Sequence, residues 1–167
     1  MLRTPQAAIQ LDAEGARCIV AYMRLVSFSA GTTLFHEGDD GRSGYLLLVL
    51  DGEVSVDMGD VTPAEAVAVS VLGPGSIVGE MSLLDGAPRS ATCTALSAVQ
   101  GAGLSRRGLE ILIDEHPRVA ARLLVGLAQR VSERLRALGQ QLQMYAQLVA
   151  RLQAELDPLR NPLRSRF

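Results

Sequence analysis

A chain of 167 residues, 48% hydrophobic and 20% charged, has enough apolar material for one domain with a proper core. A formal net charge of -2 offers no broad attraction to nucleic acid or to an anionic membrane surface, and all 16 basic residues are arginine. The longest apolar run, Tyr45 to Leu50, is far too short to cross a bilayer, and the N-terminus lacks the basic-then-apolar arrangement of a secretory signal, so a soluble, cytoplasmic chain without membrane insertion is expected.

Ile9, Ala13, Ala16, Val20 and Met23 recur at spacings of four and three, which predicts an amphipathic helix over about residues 6–25 within an N-terminal segment 1–27. From Thr32 to Leu104 the pattern changes to short runs separated by Gly and Pro: Gly44–Leu50, Glu53–Asp57, Ala66–Leu72, Ser90–Leu96 and Ala98–Leu104. Val67, Val69 and Val71 alternate with smaller residues as a half-buried strand does. Turn formers at Asp51-Gly52, Gly73-Pro74-Gly75 and Gly86-Ala87-Pro88 then suggest a small antiparallel barrel or sandwich, with an exposed loop over residues 58–65. Ser105 is placed to cap a short helix through Asp114, and Pro117 suits the first position of the next one.

That next helix carries Leu124, Ala128, Val131, Leu135, Leu138, Leu142, Tyr145, Val149, Leu152 and Leu156 at unbroken spacings of four and three, a heptad seam. It is about 50 Å long at 1.5 Å per residue, and a stop is expected at Asp157-Pro158. A small domain cannot cover such a stripe along its whole length. The seam is read as a homodimeric coiled coil in preference to one helix folded back on its own domain.

Between the strand-like runs, Gly79-Glu80-Met81-Ser82-Leu83-Leu84-Asp85-Gly86-Ala87-Pro88-Arg89 runs on into Ser90-Ala91-Thr92, with a carboxylate and a guanidinium at the two ends of one short turn of chain. Such a site can hold a hydroxyl at one end and a phosphate at the other. Met81 to Leu84 suit a single helical turn with unpaired N–H groups at its start, and arginine offers a fork matched to two phosphate oxygens. This segment resembles the phosphate-binding cassette of the cyclic-nucleotide-binding domain family, which includes bacterial catabolite activators and regulatory subunits of cyclic-AMP-dependent kinases. The residues from Phe28 to Asp39, Leu50-Asp51-Gly52-Glu53-Val54 and Leu72-Gly73-Pro74-Gly75 resemble other parts of that family in the same order, so the likeness covers about residues 6–156.

The resemblance implies an α+β fold: an antiparallel β-roll, jelly-roll-like, over residues 28–104, with the cassette at 79–92. An N-terminal helix, a short helix at 105–116, a long dimerisation helix at 117–156 and a tail at 157–167 complete it. It also implies roles. Glu80 would accept from a ribose 2′-hydroxyl and Arg89 would hold the phosphate, with Gly79, Met81, Ser82 and Ala91 in the cassette around them. Ser90 leaves the base ambiguous, because related sites use this position either to hold phosphate or to touch guanine. Arg130 and Arg134 are candidates for covering the purine from the last helix, Arg134 the preferred one.

The expected ligand is a 3′,5′-cyclic purine nucleotide, cyclic AMP first, with cyclic GMP possible. Two rivals stand beside it: a cyclic di-GMP receptor using Arg130 and Arg134 for a second phosphate, and a ligand-free dimeric scaffold. The sequence is expected to have room neither for the helix-turn-helix domain of catabolite activators nor for the inhibitory segment of kinase regulators. The expected output is therefore a surface offered to an effector protein, or else the sequence is one module of a larger system, and no DNA binding is expected. No catalytic motif is present, Asp39, Asp40 and Asp51 suit turns, and Cys18 and Cys93, far apart with only His36 and His116 to help, read as buried free thiols; no enzyme, metal or cofactor is expected.

Overall fold

Asp12 starts the first helix by accepting a hydrogen bond from the Gly15 N–H at 2.7 Å, and that helix, α1, runs Ala13–Ala21. The structure, a computed structural model, describes residues 12–41, 44–57 and 70–160, with side chains through 156. Residues 6–11 of the expected helix and the loop at 58–65 lie outside the described residues. The helix ends earlier than its periodicity suggests because Arg24–Phe28 is claimed by a backbone ladder as strand β1.

The strands that follow are β2 (Thr33–Phe35), β3 (Tyr45–Asp51), β4 (Val54–Asp57), β5 (Ser70–Leu72) and β6 (Ile77–Val78). After helix α2 (Glu80–Asp85) come β7 (Thr92–Ala95) and β8 (Val99–Ser105), then helices α3 (Arg106–Glu115) and α4 (Pro117–Arg160). All pairings are antiparallel. One sheet has the order β1-β8-β3-β6 and the other β2-β7-β4-β5. Here the expectation of a closed roll is corrected: among the described residues no ladder joins the two sheets, so each keeps two open edges, β1 and β6 in one and β2 and β5 in the other. Closure would require backbone hydrogen bonds between those edges. Side-chain packing holds the sheets instead.

That packing explains why Tyr45 to Leu50 is continuously apolar. β3 is an inner strand with both faces covered, so alternate residues enter two different cores. Leu47 and Val49 join Phe35, Val54, Val56, Val78, Cys93, Ala95 and Val99. Leu46 and Leu48 join Ile19 of α1, Leu83 of α2, Leu109 and Leu112 of α3, and Ala120, Leu123 and Leu127 at the start of α4. Full burial of such a side chain is worth about 1.5–3 kcal/mol.

The expected cap is present, with Ser105 Oγ accepting from the Gly108 N–H at 3.1 Å, and α4 begins at Pro117. α4 continues through Asp157-Pro158 to Arg160, about a turn beyond the expected stop, although Pro158 has no N–H to give to the carbonyl four residues back. The chain divides into two compact units, one ending at Ala128 and the other beginning at Gln129. Among the described residues the second unit is the remainder of α4, where the seam is half-buried at Val131 and exposed at Leu135, Leu138, Leu142, Tyr145, Val149, Leu152 and Leu156.

Candidate functional site

α2 is six residues long and sits between two glycines that only glycine serves well. Gly79 precedes it at φ 75° and Gly86 follows it at φ 74°, both left-handed. At Gly79 the demand is also steric, because a Cβ there would run into Arg89 Nη1 and the Tyr45 carbonyl oxygen. Backbone from two segments, at Gly79 and Tyr45, therefore converges on one guanidinium.

Arg89 reaches that point from the loop after α2. The loop is fixed by Ala87 N–H donating to Asp85 Oδ1 at 2.9 Å, and by a reciprocal backbone pair: Arg89 N–H to Asp39 O at 2.9 Å and Gly38 N–H to Arg89 O at 2.8 Å. Asp39 itself closes the 36–39 turn by accepting from the His36 N–H at 2.7 Å, which is the turn role expected of it. The Arg89 side chain is only 4% exposed. Its Nη1 donates to Gly79 O at 3.0 Å and to Ser82 Oγ at 3.2 Å, and its Nη2 donates to Tyr45 O at 3.0 Å. The guanidinium carbon lies 4.1 Å from the centre of the Phe35 ring and 5.4 Å from that of Tyr45.

Every one of those acceptors and rings is neutral, and among the described residues no carboxylate forms an ion pair with Arg89. Burial holds its pKa below the usual arginine value, opposed by Tyr45, Asp39, Cys93 and Glu80. Burial likewise raises the Tyr45 phenol, with Arg89 opposing. A buried cation without a direct counter-ion is costly, and an anion delivered to it relieves that cost.

The other expected cassette residues gather on the same turn. Glu80, at 7% exposure, and Ser82 are buried at the start of α2, while Met81 is exposed. Ser90 is exposed, its hydroxyl directed at the Met81 sulfur at 3.6 Å, and Ala91 is buried in the core between the sheets. Arg130 and Arg134 belong to the second unit, where both are half-buried on α4. Three further residues escaped the sequence reading. Phe35 and Tyr45 carry no signal beyond strand periodicity, and Arg106, whose Nη2 donates to Ser82 O at 2.7 Å, looks from sequence like any first-turn helix residue.

A neutral cradle around a buried guanidinium, with a buried carboxylate at the opposite end of a glycine-bounded helical turn, suits a ligand that is both phosphorylated and hydroxylated. Residues 25–116 match the cyclic nucleotide-binding domain family, more than half of the chain, and the chain belongs to that family. Its relatives include the cyclic AMP receptor protein of Thermus thermophilus, 34% identical over 114 residues that make up 68% of this chain and 51% of that protein. The fold is similar to a solved cyclic nucleotide-binding domain from Methylobacillus flagellatus, with a TM-score of 0.68 and 36% identity over 76% of this chain and 70% of that one. It is also similar to the N-terminal domain of a transcriptional regulator from Streptomyces coelicolor, with a TM-score of 0.65 and 36% identity over 78% of this chain and 91% of that one. The chain spans about half the length of the curated relatives it matches, 46% and 51% for two of them. Among the described residues no helix is long and apolar enough to cross a membrane, and no group of His, Cys, Asp and Glu is placed to hold a metal ion.

Proposed function

We propose that this chain senses a 3′,5′-cyclic purine nucleotide, cyclic AMP in the first instance. The observation that carries the reading is Arg89: a guanidinium buried on neutral acceptors and aromatic faces, with no ion pair to a described carboxylate. In this reading the cyclic phosphate binds Arg89, Glu80 accepts from the 2′-hydroxyl, and Gly79, Met81, Ser82, Ser90 and Ala91 shape the pocket floor. Arg130 and Arg134 contribute from α4. Cyclic AMP is favoured over other cyclic nucleotides by the likeness to the Thermus thermophilus cyclic AMP receptor protein.

The output in this reading is a change in α4 passed to an effector protein, with a homodimer formed along the exposed apolar seam from Leu135 to Leu156. A net charge of -2 favours a protein over DNA as the effector. A cytoplasmic setting suits the free thiols of Cys18 and Cys93. Calorimetry with cyclic AMP, cyclic GMP and cyclic di-GMP in parallel tests the ligand. Saturable one-site binding of cyclic AMP, tighter than the other two, is expected; preferential binding of cyclic di-GMP would replace the reading with that of a dinucleotide receptor, and silence with all three would leave a scaffold.

A further inference from the structure

Ser82 is held by two arginines at once. Arg89 donates to its hydroxyl at 3.2 Å, and Arg106, the first residue of α3, donates to its carbonyl oxygen at 2.7 Å. That carbonyl lies in the last turn of α2 and already accepts the Gly86 N–H at 3.0 Å, so Arg106 places positive charge at the C-terminal end of the cassette helix, the end its dipole favours. A second tie runs in parallel. Arg106 N–H donates to Gly44 O at 3.3 Å, next to Tyr45, whose own carbonyl accepts from Arg89. The two arginines thus grip the same two stretches of chain.

Arg106 is also incompletely satisfied. Its Nε is buried without a hydrogen-bond partner among the described residues. Nε–H and one Nη–H form one edge of the guanidinium fork, the edge that ordinarily takes two acceptors. Here one donor is engaged on Ser82 O and the Nε donor is idle. A buried donor left idle favours any displacement that brings an acceptor to it.

We infer that Arg106 is the positioning residue through which occupation of the cassette is reported to α3. The inference rests on the ligand reading above. When a phosphate recruits the donors of Arg89, the Ser82 hydroxyl loses its share, α2 resettles, and the Arg106 fork closes on a second carbonyl at the end of α2, drawing the start of α3 with it. Arg106 touches no ligand in this scheme; it acts through Ser82.

Amide hydrogen exchange with and without saturating cyclic AMP, on the whole chain, tests this. In the parent, exchange in both α2 and α3 is expected to change by about fivefold or more, the lower end of ordinary allosteric coupling. Arg106→Ala should still bind cyclic AMP, weakened no more than about tenfold, and keep the α2 response while that of α3 disappears. Arg106→Lys keeps a charged donor group but not the planar fork, so it should restore the resting exchange of α2 but less than about half of the α3 response; this variant decides the matter if the alanine protein does not fold. An undiminished α3 response in either variant would overturn the inference, as would a parent that binds cyclic AMP with α3 unmoved. Calorimetric silence of the parent would instead remove the ligand reading on which the inference stands.

Discussion

Arg89 is positioned by groups that carry no charge to neutralise it. Three neutral oxygens fix its plane and two rings cover its faces, so the charge remains available to an anion. Arg89→Ala is expected to weaken cyclic AMP binding by about 2–5 kcal/mol, since the phosphate would enter the site with no partner. Calorimetry checks this, and circular dichroism confirms that the fold persists. Equal affinity of variant and parent would remove Arg89 from the site. A second side chain gives a prediction in pH. The Tyr22 phenol, just past the end of α1 and bonded to Glu115 Oε2 at the end of α3, is pushed up from 10.0 to about 12 by that bond first and by burial second. A group whose folded pKa exceeds its unfolded value stabilises fully below the unfolded value and loses that contribution as pH rises through the folded one. Melting temperature should therefore fall between pH 10 and about 12. Burial raises the Cys93 thiol to about 11 and adds a loss of the same sign, so the Tyr22 share is read as the difference between parent and Tyr22→Phe. Parallel curves for the two proteins would show that the bond carries no linkage.

The contrast between α2 and α4 shows what an element needs from its surroundings. α2 is too short to be stable alone and exists because glycines end it, Leu83 anchors it in the helix-side core and two arginines hold Ser82. α4 is long, and its apolar residues fall into two sets. Ala120, Leu123 and Leu127 are buried in the core of the first unit, beside the heptad register and not on it. The register itself is partly buried at Leu124 and exposed from Leu135 onward, at 44% for Leu138 and 71% for Leu142. Neighbouring d and a positions this open are expected to be covered by the same helix of a second copy. Leu138→Asp combined with Leu142→Asp would oppose like charges across that seam and should give a folded monomer by sedimentation velocity. A parent that sediments as a monomer at tens of micromolar, the range in which weak coiled coils begin to pair, would remove the interface.

For the protein as one thermodynamic system, ligand and stability are linked. A nucleotide that binds only the folded chain stabilises it by about 2.7 kcal/mol at a hundred times its dissociation constant. Thermal melts with cyclic AMP should shift upward in the parent and stay fixed in Arg89→Ala; a shift of equal size in both would place the nucleotide elsewhere. Linkage also works between ligand and partner copy. If binding alters the dimer, loss of the dimer must alter binding by the same factor. The Leu138→Asp, Leu142→Asp protein should accordingly show a changed dissociation constant for cyclic AMP by calorimetry, and an unchanged one would mean that pocket and seam are energetically independent.

Features encoded within a short window of chain are legible in the sequence itself: the Ser105 cap, the Pro117 start, the turns, most of the strands, the seam spacing, and the glycine-bounded run from Gly79 to Arg89. Each is a local compromise of backbone geometry, hydrogen-bond donors and side-chain period, so its signal lies in adjacent residues. The order of strands in the two sheets, and the fact that no ladder among the described residues joins them, were not legible, because which strands share a ladder is settled by competition among distant segments. The end of α1 moved for the same reason, when β8 claimed Arg24 to Phe28. The motif pointed to Arg89 as a candidate, but it carried no sign of the setting of that side chain: the Tyr45 carbonyl lies 44 positions away in sequence and Arg106 lies 24 positions from Ser82. Only folding brings those groups within hydrogen-bond distance, and their contacts leave no periodicity for a sequence to display.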